Sequence, residues 1–181
     1  MNNTRPKTVL LAKMGLMAAI ALICSMFHFP LLPGATFLEF EVHDIPVLIA
    51  AFAFGPIPGF IVGVVSILLH DMIIGMASGP YGMIMHIIAD AAFALVAGFF
   101  YQRLKTKRNA VLALIIGGLC MTAAMVPANL FITPYFMGAP VSAVVAMLPT
   151  VIVPFNLLKA LIDGVVVFFL YKRLSPFLHR Y

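Results

Sequence analysis

Charge is scarce in this chain: of 181 residues, only 9% are Asp, Glu, Lys or Arg, and 64% are hydrophobic. A water-soluble domain carries about a quarter charged residues, and a soluble core could not hide this much apolar surface, so a soluble globular fold is excluded. Only six residues are acidic. There are two cysteines, Cys24 and Cys120, both inside apolar runs; no disulfide framework follows, and both read as packing residues. Nothing resembles a phosphate-binding P-loop, so any use of ATP belongs to a partner. No cluster has the ligand count or spacing of a metal site, and no cofactor is expected. The first apolar run, residues 8–29, is long and lacks a small-residue cleavage signal, so it reads as a retained helix.

What is present is hydrophobic sequence in long stretches, near residues 8–29, 45–76, 81–101, 110–133 and 148–171. At about 20 residues per crossing, the chain holds roughly six helices and little else. The expectation is one membrane-embedded domain spanning 1–181.

The net charge of +5 is unevenly placed. Arg5, Lys7 and Lys13 open the first run. Arg103, Lys105, Lys107 and Arg108 share one short polar break, and Lys172, Arg173 and Arg180 close the chain. Of the eleven basic residues, only Lys159 stands apart. Each cluster borders an apolar run, which fits the positive-inside rule and not nucleic-acid binding, so all three are placed in the cytoplasm.

The N-terminus and the 103–108 cluster share a side only if an even number of crossings separates them. Segment 45–76 must then cross twice, breaking at Gly55-Pro56-Ile57-Pro58-Gly59. Asp44 followed by Pro46 gives a cap-like start to the first of these helices. That helix is short for a crossing and is expected to lie against protein. The reading is therefore an all-α integral membrane protein of six transmembrane helices, helix 2 short, with both termini cytoplasmic. The outside holds the loop 30–44, the turn 77–80 and a loop over 134–147. The first contains Glu39, Glu41 and Asp44, and is long and partly apolar, as a lid over an outward-facing pocket would be.

Polar side chains inside the hydrocarbon are functional candidates because lipid offers them no partners. Asn129 lies near the outer end of the fifth helix, in VPANLF. Asn156 and Lys159 lie in the outer half of the sixth, in VPFNLLK, three residues apart and so on one face. An ammonium and two carboxamides suit a planar ligand rich in carbonyls or ring nitrogens. The bland alternatives are an i,i+4 ion pair of Lys159 with Asp163 and interhelical hydrogen bonds for the asparagines. His86 and Asp90 share a face at i,i+4, so they could bind a metal, relay protons or satisfy each other; two residues are too few for a metal site, and mutual satisfaction is the favoured reading. His70-Asp71 ends the third helix. On the first helix, Gly15 and Ala19 form a small-xxx-small face, repeated by Ala21 and Ser25, that lets another helix approach closely.

The stretches FPLLPGATFLEFEVHDIPVLIAAFAFGPIPG at 29–59, VPANLFITPYF at 126–136 and VPFNLLKALIDGVVVFFLYKRLSP at 153–176 resemble the substrate-binding S components of energy-coupling factor (ECF) transporters, in their riboflavin-type branch. The resemblance covers nearly the whole chain. It implies a bacterial cell-membrane subunit that binds riboflavin or a related flavin from outside. It further implies docking on a transmembrane coupling subunit and two cytoplasmic ATPases, all separate chains. The roles it implies are flavin contacts for Asn129, Asn156 and Lys159 and coupling-subunit contacts for Gly15 and Ala19. The pocket is expected to be completed by Phe37 and Leu38 of the loop and by Asp71 and His86. At the third-to-fourth helix junction the chain departs from the family pattern, with His70-Asp71 and His86 where many relatives carry lysine and asparagines; FMN or another heterocyclic vitamin is the alternative ligand. Two other functions compete: a proton-coupled secondary transporter using His86, Asp90 and Lys159, and an intramembrane enzyme built on Ala77-Ser78-Gly79 and nearby histidines.

Overall fold

The computed structural model describes residues 5–33, 35, 37–75 and 78–178. Within them lie six helices: α1 (Arg5–Ser25), α2 (Asp44–Phe54), α3 (Pro56–Ile73), α4 (Gly79–Arg103), α5 (Lys107–Met137) and α6, which runs from Val141 to Leu178. Five are long and apolar enough to cross a membrane; α2, with 11 residues, is not by itself. Arg180 and Ala77 lie outside the described residues.

Helix α2 is hydrophobic all round, and every residue from Asp44 to Ala53 is buried. Such a helix must be enclosed by protein. At 1.5 Å per residue it is about 16 Å long, roughly half the hydrocarbon thickness, and the surrounding helices α1, α3, α4 and α6 take the place of lipid. The break after it is a single residue. Gly55 has φ 111°, a conformation in which a side chain would be strained. Pro56 then begins α3, where its missing N–H costs nothing. The expected five-residue turn is therefore tighter than its two prolines suggest, because both fit the first turn of the next helix.

Two contacts put this break at the same end of the bundle as the basic 103–108 loop. Gln102 Nε2 donates to the Phe52 carbonyl at 2.8 Å, and Gly98 lies so near Pro56 that a Cβ there would come within 2.9 Å of its Cα. Segment 44–73 thus crosses twice, and six passes bring the start of α1 and the end of α6 to one side.

Helices α4 and α6 each carry a π-helical stretch, Ala91–Leu95 and Leu148–Ile152. The second contains Pro149, whose absent N–H breaks the regular ladder.

Three expectations are corrected. The outer loop 134–147 does not exist as such: α5 continues to Met137, with Pro127 and Pro134 inside it, and α6 begins at Val141. Proline is tolerated within membrane helices, and Gly138 (φ 62°) ends α5 as its Ala139 N–H bonds back to the Pro134 carbonyl. The first run stops at Ser25, because His28–Pro30 pairs antiparallel with Glu39–Glu41 as a small hairpin, β1 and β2. And Asp44 caps nothing; its carboxylate is drawn inward.

Candidate functional site

The sequence VPxN occurs twice, at 126–129 in α5 and 153–156 in α6. Both copies fold alike. Asn129 Nδ2 donates to the Met125 carbonyl and Asn156 Nδ2 to the Ile152 carbonyl, each at 2.8 Å and each four residues back. Tied this way, the carboxamides are held in fixed orientations on facing helices; Asn129 Oδ1 also accepts from the Thr133 hydroxyl at 2.9 Å. Both asparagines are buried, as is Lys159 one helical turn below Asn156.

The three converge on one cavity, with about 710 Å³ of empty space counting its open mouth. Phe37, Leu38 and Glu39 of the outer loop cover it. Tyr81, Met85 and His86 from α4, and Phe136 and Phe155 from α5 and α6, supply the walls. Aromatic walls with a few convergent polar groups are the make-up of a small-molecule site.

The lower wall is a buried charge cluster. Lys159 Nζ forms an ion pair with Asp44 and stands 3.9 Å from Asp163 Oδ2. Asp44 Oδ1 in turn lies 3.3 Å from His43 Nδ1. His43 Nε2 is 2.8 Å from Ser66 Oγ, and Ser66 already donates its proton to the Gly63 carbonyl. A proton on Nδ1 of the imidazole serves Asp44, while its Nε2 shares the Ser66 hydroxyl with the Gly63 carbonyl. Burial alone would lower its pKa, but Asp90 at 3.9 Å and Asp44 outweigh burial and raise it to about 9. Charges this far from water persist only when paired.

The loop is fastened to this wall. Glu41 Oε1 meets His86 Nε2 at 3.1 Å; burial pushes the Glu41 carboxyl up, but the His86 contact prevails and holds it below the usual carboxylate range. Phe40, buried on the hairpin, has Lys159 Nζ 5.2 Å from its ring centre, a cation–π contact. At the rim, His28 Nδ1 pairs with Glu39 at 2.7 Å.

The arrangement belongs to a known family. A profile described as "ECF transporter, substrate-specific component" matches residues 9–172. The chain belongs to this family. As an S component it is a multi-pass protein of the bacterial cell membrane and the substrate-binding subunit of an ECF importer, not an enzyme or a stand-alone proton-driven transporter. It is 30% identical to the riboflavin transporter RibU of Staphylococcus aureus (strain TCH60), over 94% of this chain and 92% of that protein. It is 27% identical to the riboflavin transporter FmnP of Bacillus subtilis (strain 168), over 94% of each. Among solved structures, the S component of a bacterial ECF transporter superposes with a TM-score of 0.80 at 31% identity, covering 96% of this chain and 99% of that one. ThiT from Listeria monocytogenes shares the fold, with a TM-score of 0.70 at 21% identity over 96% and 98% of the two chains.

Of the site residues expected from sequence, this S component brings Asn129, Asn156, Lys159, His86, Phe37 and Leu38 to the cavity. Asp71 is not among them: it pairs with its neighbour His70 (3.3 Å) and lines a smaller adjoining cavity. His86 and Asp90 do not satisfy each other. They turn to different partners: the hairpin brings Glu41 to His86, and His43 stands 3.9 Å from Asp90. Lys159 has Asp163 nearby, as its i,i+4 spacing suggests, yet its closer partner is Asp44. Gly15 and Ala19 lie exposed on α1, with open space around Gly15, while Ala21 and Ser25 are buried and pack within the bundle. His43, which the sequence places with His28 as a solvated, interfacial histidine flanking the outer loop, is instead buried, and Ser66 gave no signal of its own; the His-Asp pair at 43–44, entering an apolar helix, was the available signal. Ser78 occupies a turn at the cavity edge.

Proposed function

We propose that this S component captures riboflavin, or a closely related flavin, from outside the cell. The observation that carries this is the convergence of Asn129, Asn156 and Lys159 in one cavity beneath an aromatic-bearing loop. A flavin ring is flat, apolar on its faces, and edged with alternating carbonyl and ring-nitrogen groups. Carboxamides both donate and accept, so two of them in fixed orientations match such an edge. Phe37, Tyr81, Phe136 and Phe155 offer surfaces for its faces. The names of the Staphylococcus and Bacillus relatives support the same ligand. Phe37 and Leu38 act as the lid, closing over the flavin while Glu41 and Phe40 anchor the loop.

The substrate-loaded subunit docks through the exposed Gly15–Ala19 face of α1 on a transmembrane coupling subunit, and two cytoplasmic ATPases drive release. Gly15→Phe, at an exposed position where an added Cβ meets nothing within 4 Å, then spares flavin binding and abolishes uptake by the assembled transporter; loss of both together would argue against a docking role.

The test of the ligand is direct. The chain purified from flavin-replete cells is expected to be yellow, with a flavin absorption spectrum that disappears after unfolding and dialysis. Colourless protein that fails to bind added riboflavin would rule the proposal out.

A further inference from the structure

Away from α1, the lipid-facing seam between α5 and α6 is a groove with about 840 Å³ of empty space, open to its surroundings. It is lined almost wholly by apolar side chains. On α5 the stripe Val111, Ile115 and Gly118 faces it, and on α6 the stripe Leu161, Gly164 and Phe168. Extended one turn toward the cytoplasm, both stripes reach lysine: Lys107 is four residues before Val111, and Lys172 four residues after Phe168. The two side chains approach each other and are exposed, one helical turn beyond the residues that line the groove. Among the described residues no acidic side chain stands by them. Three of the six acidic residues lie in or beside the outer loop, Asp71 ends α3, and Asp90 and Asp163 belong to the buried cluster.

Two like charges held together without a counter-charge repel, and an anion between them relieves this. The groove sets what else that anion carries. From Leu157 to Phe169 it runs twelve residues, about 18 Å at 1.5 Å each, close to the roughly 15 Å of one leaflet's hydrocarbon. It ends at the level where the positive-inside rule puts the inner headgroups. We propose that the α5–α6 groove binds one anionic glycerophospholipid of the inner leaflet, an acyl chain along the groove and the phosphate between Lys107 and Lys172. A free anion would leave the groove empty, and an apolar helix of a partner would leave the lysines unmatched.

The test uses the full chain in detergent, with phosphatidylglycerol and phosphatidylcholine of identical acyl chains, and reads lipid adducts by native mass spectrometry. The wild type is expected to retain phosphatidylglycerol with a preference on the order of tenfold. Lys107→Gln with Lys172→Gln, both surface changes, reduces retention to the phosphatidylcholine level. Gly164→Leu lowers retention of both lipids, since its side chain would fill the groove floor, where an added Cβ meets Leu114 Cβ at an ordinary 3.6 Å. Equal retention of the two lipids by the wild type overturns the proposal. So does a preference that survives the double lysine change, or competition by glycerol phosphate as effective as by the whole lipid.

Discussion

The two ends of the helix bundle are built from the same helices by opposite means. At the cytoplasmic end, α2, α4 and α6 meet in aromatic packing: Phe52 stacks on Tyr101 at 4.2 Å, and Tyr171 stands edge-on to both at 5.4 and 5.3 Å. Gly59 lets α3 press directly on the Ala51 backbone of α2. At the outer end the same helices are held by Lys159, Asp44, His43 and Asp90, and between α4, α5 and α6 a cavity remains. Close packing seals; it leaves nothing for a ligand to occupy. Fixed charges can brace helices at a distance, so an end that must admit a guest is held by ion pairs and one that must stay shut by rings.

That contrast can be broken most forcefully at Lys159. Lys159→Met leaves Asp44 and Asp163 buried beside an apolar side chain, and should cost about 3–5 kcal/mol of stability as well as flavin affinity. Removing Asp44 too, as Asp44→Leu in the same chain, should recover part of the stability but none of the affinity; thermal unfolding in detergent beside riboflavin titration checks both. At the other end, Phe52→Ala removes a fully buried ring and should cost about 3–5 kcal/mol. Its distance from the cavity leaves riboflavin affinity within about twofold. A Phe52→Ala protein with much weakened binding would mean that the two ends are not separable.

Much of this architecture was legible in the chain. The Gly55–Gly59 break, the shortness of α2 and the even helix count follow from charge placement and proline positions, which act locally. The meeting of Asn129, Asn156 and Lys159 followed from their cost in lipid. What escaped is what depends on long-range pairing. Asp44 meets Lys159 across 115 positions, and no periodicity links them. Glu41 reaches His86 only because β1 and β2 fold the loop back. Pro134 and Pro140 signal a loop in water, whereas α5 runs through the first and α6 starts just after the second.

The proposed flavin site depends on the paired asparagines reading the edge of the ligand. Equilibrium quenching of riboflavin fluorescence by wild type, Asn129→Ala and Asn156→Ala tests it most directly. Each substitution should weaken binding by about 1–3 kcal/mol, the cost of a buried hydrogen bond left unmade, with the thermal midpoint of the ligand-free protein measured beside it, because Asn129 also bonds the Thr133 hydroxyl. Unaltered affinity in both variants would contradict it.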